Sequence, residues 1–154
     1  MATACKEATL GYQDVCLNVA ATDCRDAIRK AAAPLIAQGN ITSGYVQEML
    51  DAFDTYGPYF VLAPGMAFAH AKPSPNVLKT GLSLITLKDA VTFGHAQNDP
   101  VFLVCVIASR DPAEHLEQLR KIVNFLGDEQ LVKQLREASS ERDAHAIVDS
   151  INAR

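Results

Sequence analysis

Val101-Phe102-Leu103-Val104-Cys105-Val106-Ile107-Ala108-Ser109 carries no charged side chain and is rich in β-branched residues. A run of this length and composition predicts a β-strand, and its lack of polar alternation predicts cover on both faces. Such a strand belongs in the middle of a sheet, between two layers of helix. Immediately after it, Asp111-Pro112-Ala113-Glu114 has the form of a helix start. Asp111 suits the N-cap, Pro112 the first helical position and Glu114 the third. Three helical segments are predicted over about 112–126, 129–138 and 141–152, announced by Asp111, Asp128 and Ser140. In the first, Leu116, Leu119, Ile122, Val123 and Leu126 form the expected apolar face, which His115 borders.

Upstream of the central run, Thr80–Leu87 reads as a second clear strand, joined to it by a loop over Lys88–Pro100. Tyr59–Leu62 and Met66–Ala69 are shorter extended runs, separated by the Pro64-Gly65 turn. Asp14–Ala20 alternates enough to form a short strand. Between it and Tyr59 lie two helices. The first is capped by Asp23, with Ile28, Ala31, Ala32, Leu35 and Ile36 at helical spacing, and Pro34 is expected to kink or shorten it. The second opens at Thr42 or Ser43, buries Val46, Met49, Leu50 and Phe53, and ends at Gly57-Pro58. The order strand, two helices, several strands, three helices predicts an α/β fold: a three-layer α/β/α sandwich around a mixed sheet. Residues 1–154 are expected to form a single domain, with 1–12 a loose lead-in.

A net charge of −4 with no lysine or arginine cluster argues against a nucleic-acid partner. No apolar stretch approaches the roughly 20 residues of a membrane span, so no direct membrane insertion is expected. The first residues have neither the cationic flank nor the apolar centre of a secretory signal, which predicts a cytoplasmic protein. Cys5, Cys16, Cys24 and Cys105 show no metal-binding or redox spacing, and Cys105 reads as a small buried hydrophobe.

Gly65-Met66-Ala67-Phe68-Ala69-His70-Ala71-Lys72-Pro73 delivers an imidazole from an apolar strand to a tight turn. A nucleophilic histidine needs this setting: it must be neutral near pH 7, with one ring nitrogen held by a hydrogen bond and the other free. Lys72, two residues on, favours an incoming anion. His115 falls in the first turn of a helix, where unpaired amides and the helix dipole also favour an anion. Each histidine also has a plain structural reading, His70 as a packed residue and His115 as a surface one. His95 lies in a polar loop, where Asn98-Asp99-Pro100 would serve simply as a turn, and His145 points off the last helix to the surface.

With these residues placed, the chain resembles an enzyme IIA of the phosphoenolpyruvate-dependent sugar phosphotransferase system. It is similar to the mannitol-fructose class and, within it, to the ascorbate type. The resemblance runs from about Ala21 to about Gln134. It is carried by Tyr56–Gly65 leading into Ala69-His70-Ala71-Lys72-Pro73, by Phe93-Gly94-His95 with Asn98-Asp99-Pro100, and by Ser109–Leu116. The chain departs from the class in having Ala69 before the active histidine, where proline is common. It also has Lys72 where many relatives have arginine, which keeps the charge without the bidentate fork.

The resemblance implies that His70 accepts a phosphoryl group from the phosphocarrier HPr and passes it to a cysteine of the cognate enzyme IIB. Enzyme IIB in turn serves the membrane component, enzyme IIC. It implies that His115 supports the phosphoryl group, with Lys72, His95 and Asp99 as further support of the site, Asp99 by orienting a ring. No metal, nucleotide or other cofactor is implied, and the reading assigns no oligomeric state. Three other readings stand beside it: a regulatory phosphohistidine module that binds a regulator, a zinc site built from His70, His95, His115 and Asp99, and a non-catalytic oligomerisation domain.

Overall fold

The structure, a computed structural model, describes residues 10–153 except the side chains of Phe125 and Leu126. The elements follow in the predicted order: β1 (Val15–Val19), α1 (Cys24–Ala37), α2 (Ser43–Tyr56), β2 (Val61–Ala63), β3 (Met66–Ala69), β4 (Gly81–Val91), β5 (Val101–Ala108), α3 (Pro112–Leu126), α4 (Glu129–Glu137) and α5 (Glu141–Asn152). The sheet order is β1-β4-β5-β3-β2, which puts β5 in the middle. β1 runs parallel to β4 and β3 parallel to β5, while the β4–β5 and β2–β3 pairs are antiparallel. This is the mixed sheet the sequence predicts.

Alternation along β3 and β5 divides the interior into two cores. Ala67, Ala69, Val104 and Val106 pack with α1 and α2, while Met66, Phe68, Leu103 and Cys105 pack with α3, α4 and α5. Helices therefore cover both faces, and β5 is buried on both as its composition requires. The register Met66↔Leu103 to Ala69↔Val106 brings the C-terminal ends of β3 and β5 out at the same edge.

Several local expectations are corrected. Pro34 does not shorten α1: it lies in the last turn, where its missing N–H removes a single helical bond, and the helix runs to Ala37. Gly39, at φ +78°, then supplies the left-handed stop. β4 continues to Val91, past the expected end at Leu87, because its tail still pairs with β5 through Val91↔Val101. Residues 10–12 are not a loose lead-in. Leu10 is 1% exposed, and Asn152 both accepts from its N–H and donates to its carbonyl, at 3.1 and 2.7 Å. Tyr12 stacks on His145, with centroids 4.1 Å apart, and His145 is exposed as expected. Residues 1–9, with Cys5, lie outside the described residues.

The face of α3 differs most from expectation. Leu116 and Val123 are 58% and 67% exposed, Leu119 is half-buried, and the buried residues among the described side chains are Ile122 and the polar Gln118. The Leu126 side chain lies outside those described. Among the described residues no helix is long and apolar enough to cross a membrane.

Candidate active site

His70 is the first residue beyond β3, and His115 lies in the first turn of α3, just beyond β5. Parallel pairing of β3 and β5 brings these two connections together at the carboxyl edge of the strands, where α/β folds commonly bind ligands. The imidazole centroids are 5.2 Å apart, with the rings tilted by 46°.

The His70 ring is tightly held. Its Nδ1 lies 2.8 Å from the carbonyl oxygen of Phe68. A carbonyl only accepts, so Nδ1 carries the proton and Nε2 keeps its lone pair. Tyr59 stands edge-on to the ring at 5.3 Å, and its hydroxyl donates to the His70 carbonyl at 2.5 Å. Burial pushes the His70 pKa below its ordinary 6.5; the Phe68 carbonyl works against this shift, and the charge of His115 adds to it. The imidazole is therefore neutral at pH 7 and remains so to lower pH than a free imidazole.

Tyr45, from α2, anchors the chain just after His70, a role that no motif in the sequence marks. Its buried hydroxyl accepts from the Ala71 N–H at 3.0 Å and donates to the Ile107 carbonyl at 2.9 Å. Burial pushes its pKa up to about 12, so it stays protonated. The usable signal was spacing: Tyr45 lies one turn before Met49 on the predicted buried stripe, and a buried tyrosine hydroxyl needs a partner. Tyr45→Phe leaves the Ala71 N–H unpaired and is expected to cost about 1–3 kcal/mol of stability, read by denaturant unfolding.

His70, Lys72 and His115 line one cavity of about 590 Å³, with Glu48, Asp51 and Tyr56 of α2 among the other lining residues. Among the described residues no ion pair involves Lys72, whereas Glu48 accepts from the Ser74 hydroxyl at 2.6 Å.

The structure does not bring His95 and Asp99 to this lining. The Asp99 carboxylate accepts from the backbone N–H groups of Phe93, Gly94 and His95 at 2.9, 2.7 and 3.0 Å. His95 Nδ1 accepts from those of Gln97 and Asn98 at 3.2 and 3.0 Å. The loop they organise grips the β2–β3 hairpin, with the Asn98 carbonyl accepting from Gly65 at 2.8 Å and the Asn98 amide donating to Val61 at 3.2 Å. Phe93 from the same loop packs edge-on against Phe60, which lies 6.3 Å from the His70 ring. Among the described residues no group of three or more His, Cys, Asp or Glu side chains is arranged to hold a metal ion.

The family model described as phosphoenolpyruvate-dependent sugar phosphotransferase system, EIIA 2, matches residues 9–151. The chain belongs to this EIIA 2 family. It is 38% identical over 138 residues to the ascorbate-specific PTS system EIIA component of Shigella boydii, covering 89% of this chain and 90% of that protein. In structure it is similar to the mannitol-specific cryptic phosphotransferase enzyme IIA of Escherichia coli (TM-score 0.83, 30% identity), over 92% of this chain and 96% of that one. It is also similar to the enzyme IIA in the E. coli complex of mannitol enzyme IIA with phosphorylated enzyme IIB (TM-score 0.79, 29% identity), over 92% and 97%. In this EIIA chain the site offers one oriented neutral imidazole, a second imidazole at a helix start and a lysine with no ion-pair partner among the described residues, around an open cavity.

Proposed function

We propose that residues 1–154 form one EIIA domain of an ascorbate-type phosphotransferase system, acting in the cytoplasm as a phosphoryl relay with His70 as acceptor. The observation that carries this reading is the Nδ1 bond to Phe68, which leaves the Nε2 lone pair available beside His115. In the first step Nε2 attacks the phosphorus of phospho-HPr. A new N–P bond forms as the old one breaks, and its electron pair returns to the HPr imidazole. His70 keeps its Nδ1 proton, and the Phe68 carbonyl offsets the positive charge the ring acquires. In the second step a cysteine thiolate of enzyme IIB attacks the phosphorus, and the electron pair returns to Nε2.

The protein's contribution is position and charge. His115, the dipole of α3 and Lys72 stabilise the oxygens of the group in flight, Lys72 as a point charge; the first amides of α3 do not, since those of Glu114 and His115 bond to Asp111. His95 and Asp99 support the site indirectly, through the loop that holds the β2–β3 hairpin. The relay needs no metal or nucleotide, and enzyme IIC takes part through enzyme IIB, for uptake of ascorbate or a related sugar.

The ascorbate assignment rests on the relative from Shigella boydii. It predicts that phosphorylated protein discharges onto the cysteine of an ascorbate-type enzyme IIB about tenfold or more faster than onto a mannitol-type one, followed by rapid quench. Equal discharge onto both, or faster discharge onto the mannitol type, contradicts it.

A further inference from the structure

The buried face of α3 carries an amide where a hydrophobic side chain would be ordinary. Gln118 is 1% exposed, and Ser109, the residue after β5, is also buried. The Ser109 hydroxyl donates to Gln118 Oε1, and Gln118 Nε2 donates to the Gly81 carbonyl at 2.9 Å. One turn earlier, Glu114 Oε1 accepts from the Thr80 hydroxyl and from the Arg110 N–H, the latter at 2.8 Å. Gly81 opens β4 and Thr80 directly precedes it, so both tethers fix the first turns of α3 to the same point of the sheet. His115 lies between them in sequence, three residues before Gln118 and on the same side of the helix. Burying an amide costs desolvation that a leucine would avoid, and what it supplies in return is direction.

We propose that Gln118 is a positioning residue of the relay. Its bonds to Ser109 and Gly81 fix the rotation of α3 about its axis and so keep the His115 imidazole beside His70. Gln118 does not line the cavity, so it acts through His115. The inference rests on the supporting role proposed for His115.

Gln118→Met preserves length and packing but removes both hydrogen bonds. Onward transfer to enzyme IIB should fall about tenfold, while His70 still takes up one phosphoryl group given time and excess phospho-HPr. The double variant Gln118→Met/His115→Ala should transfer no more slowly than His115→Ala alone, a non-additivity that general loosening of the fold would not produce. Should Gln118→Met fail to fold, Ser109→Ala removes one bond of the pair and should give the same pattern with a smaller fall. Unchanged onward transfer in a folded variant overturns the proposal, as does additive slowing in the double variant. Parent-like transfer by His115→Ala itself overturns the role of His115 and is read separately in that single variant.

Discussion

His70→Gln is expected to abolish phosphoryl acceptance, by about a thousandfold or more, because the proposed relay has no second route to an N–P bond. After incubation with phosphoenolpyruvate, enzyme I and HPr, the intact mass of the parent should rise by one acid-labile phosphoryl group and that of the variant should not. Glutamine retains a polar side chain near the Phe68 carbonyl but has no nucleophilic nitrogen, since its amide lone pair is delocalised. The loss should come without unfolding: the strand before His70 is held by β5 and the residue after it by Tyr45. A folded variant that still takes up the group would move the acceptor to another histidine.

His115→Ala should have the opposite profile. Given time and excess phospho-HPr the label still accumulates on His70, but discharge onto enzyme IIB slows by more than about tenfold, equivalent to about 1.4 kcal/mol of transition-state stabilisation. The expectation follows from the 5.2 Å separation of the rings and from the position of His115 at the opening of α3, where the helix dipole also acts. A single-turnover measurement resolves the two steps. Transfer at the parent rate would remove His115 from the mechanism.

The layered fold was legible because its decisive signals are local. The β5 run, the caps at Asp111, Asp128 and Ser140, and the Gly57-Pro58 stop each depend on neighbours within one turn, and each helix begins where its cap is read. Helix faces were less legible where partners are distant in sequence. Leu116 and Val123 fit an apolar stripe, yet α3 is rotated so that Gln118 meets Gly81, and no periodicity in 112–126 announces that bond. The lead-in reading of 1–12 fails at Leu10 for the same reason, since the partner of Leu10 is Asn152 at the other end of the chain.

In the site, His70, Lys72 and His115 are brought to one cavity because two parallel strands deliver them to one edge. Reading Asn98-Asp99-Pro100 as a turn does not specify what Asp99 does there: its carboxylate collects three backbone amides, where the resemblance implies that it orients a ring. How that loop reaches His70, through Phe93 and Phe60, depends on packing that a single sequence does not encode in its spacing.

The central claim, that Nε2 of His70 takes the phosphoryl group, is tested most directly by nitrogen–phosphorus coupling in protein labelled with ¹⁵N-histidine and phosphorylated through HPr. The account predicts coupling from the phosphorus to Nε2 of His70, with Nδ1 still protonated against the Phe68 carbonyl. Coupling to Nδ1 of His70, or to a nitrogen of His115 or His95, would contradict it.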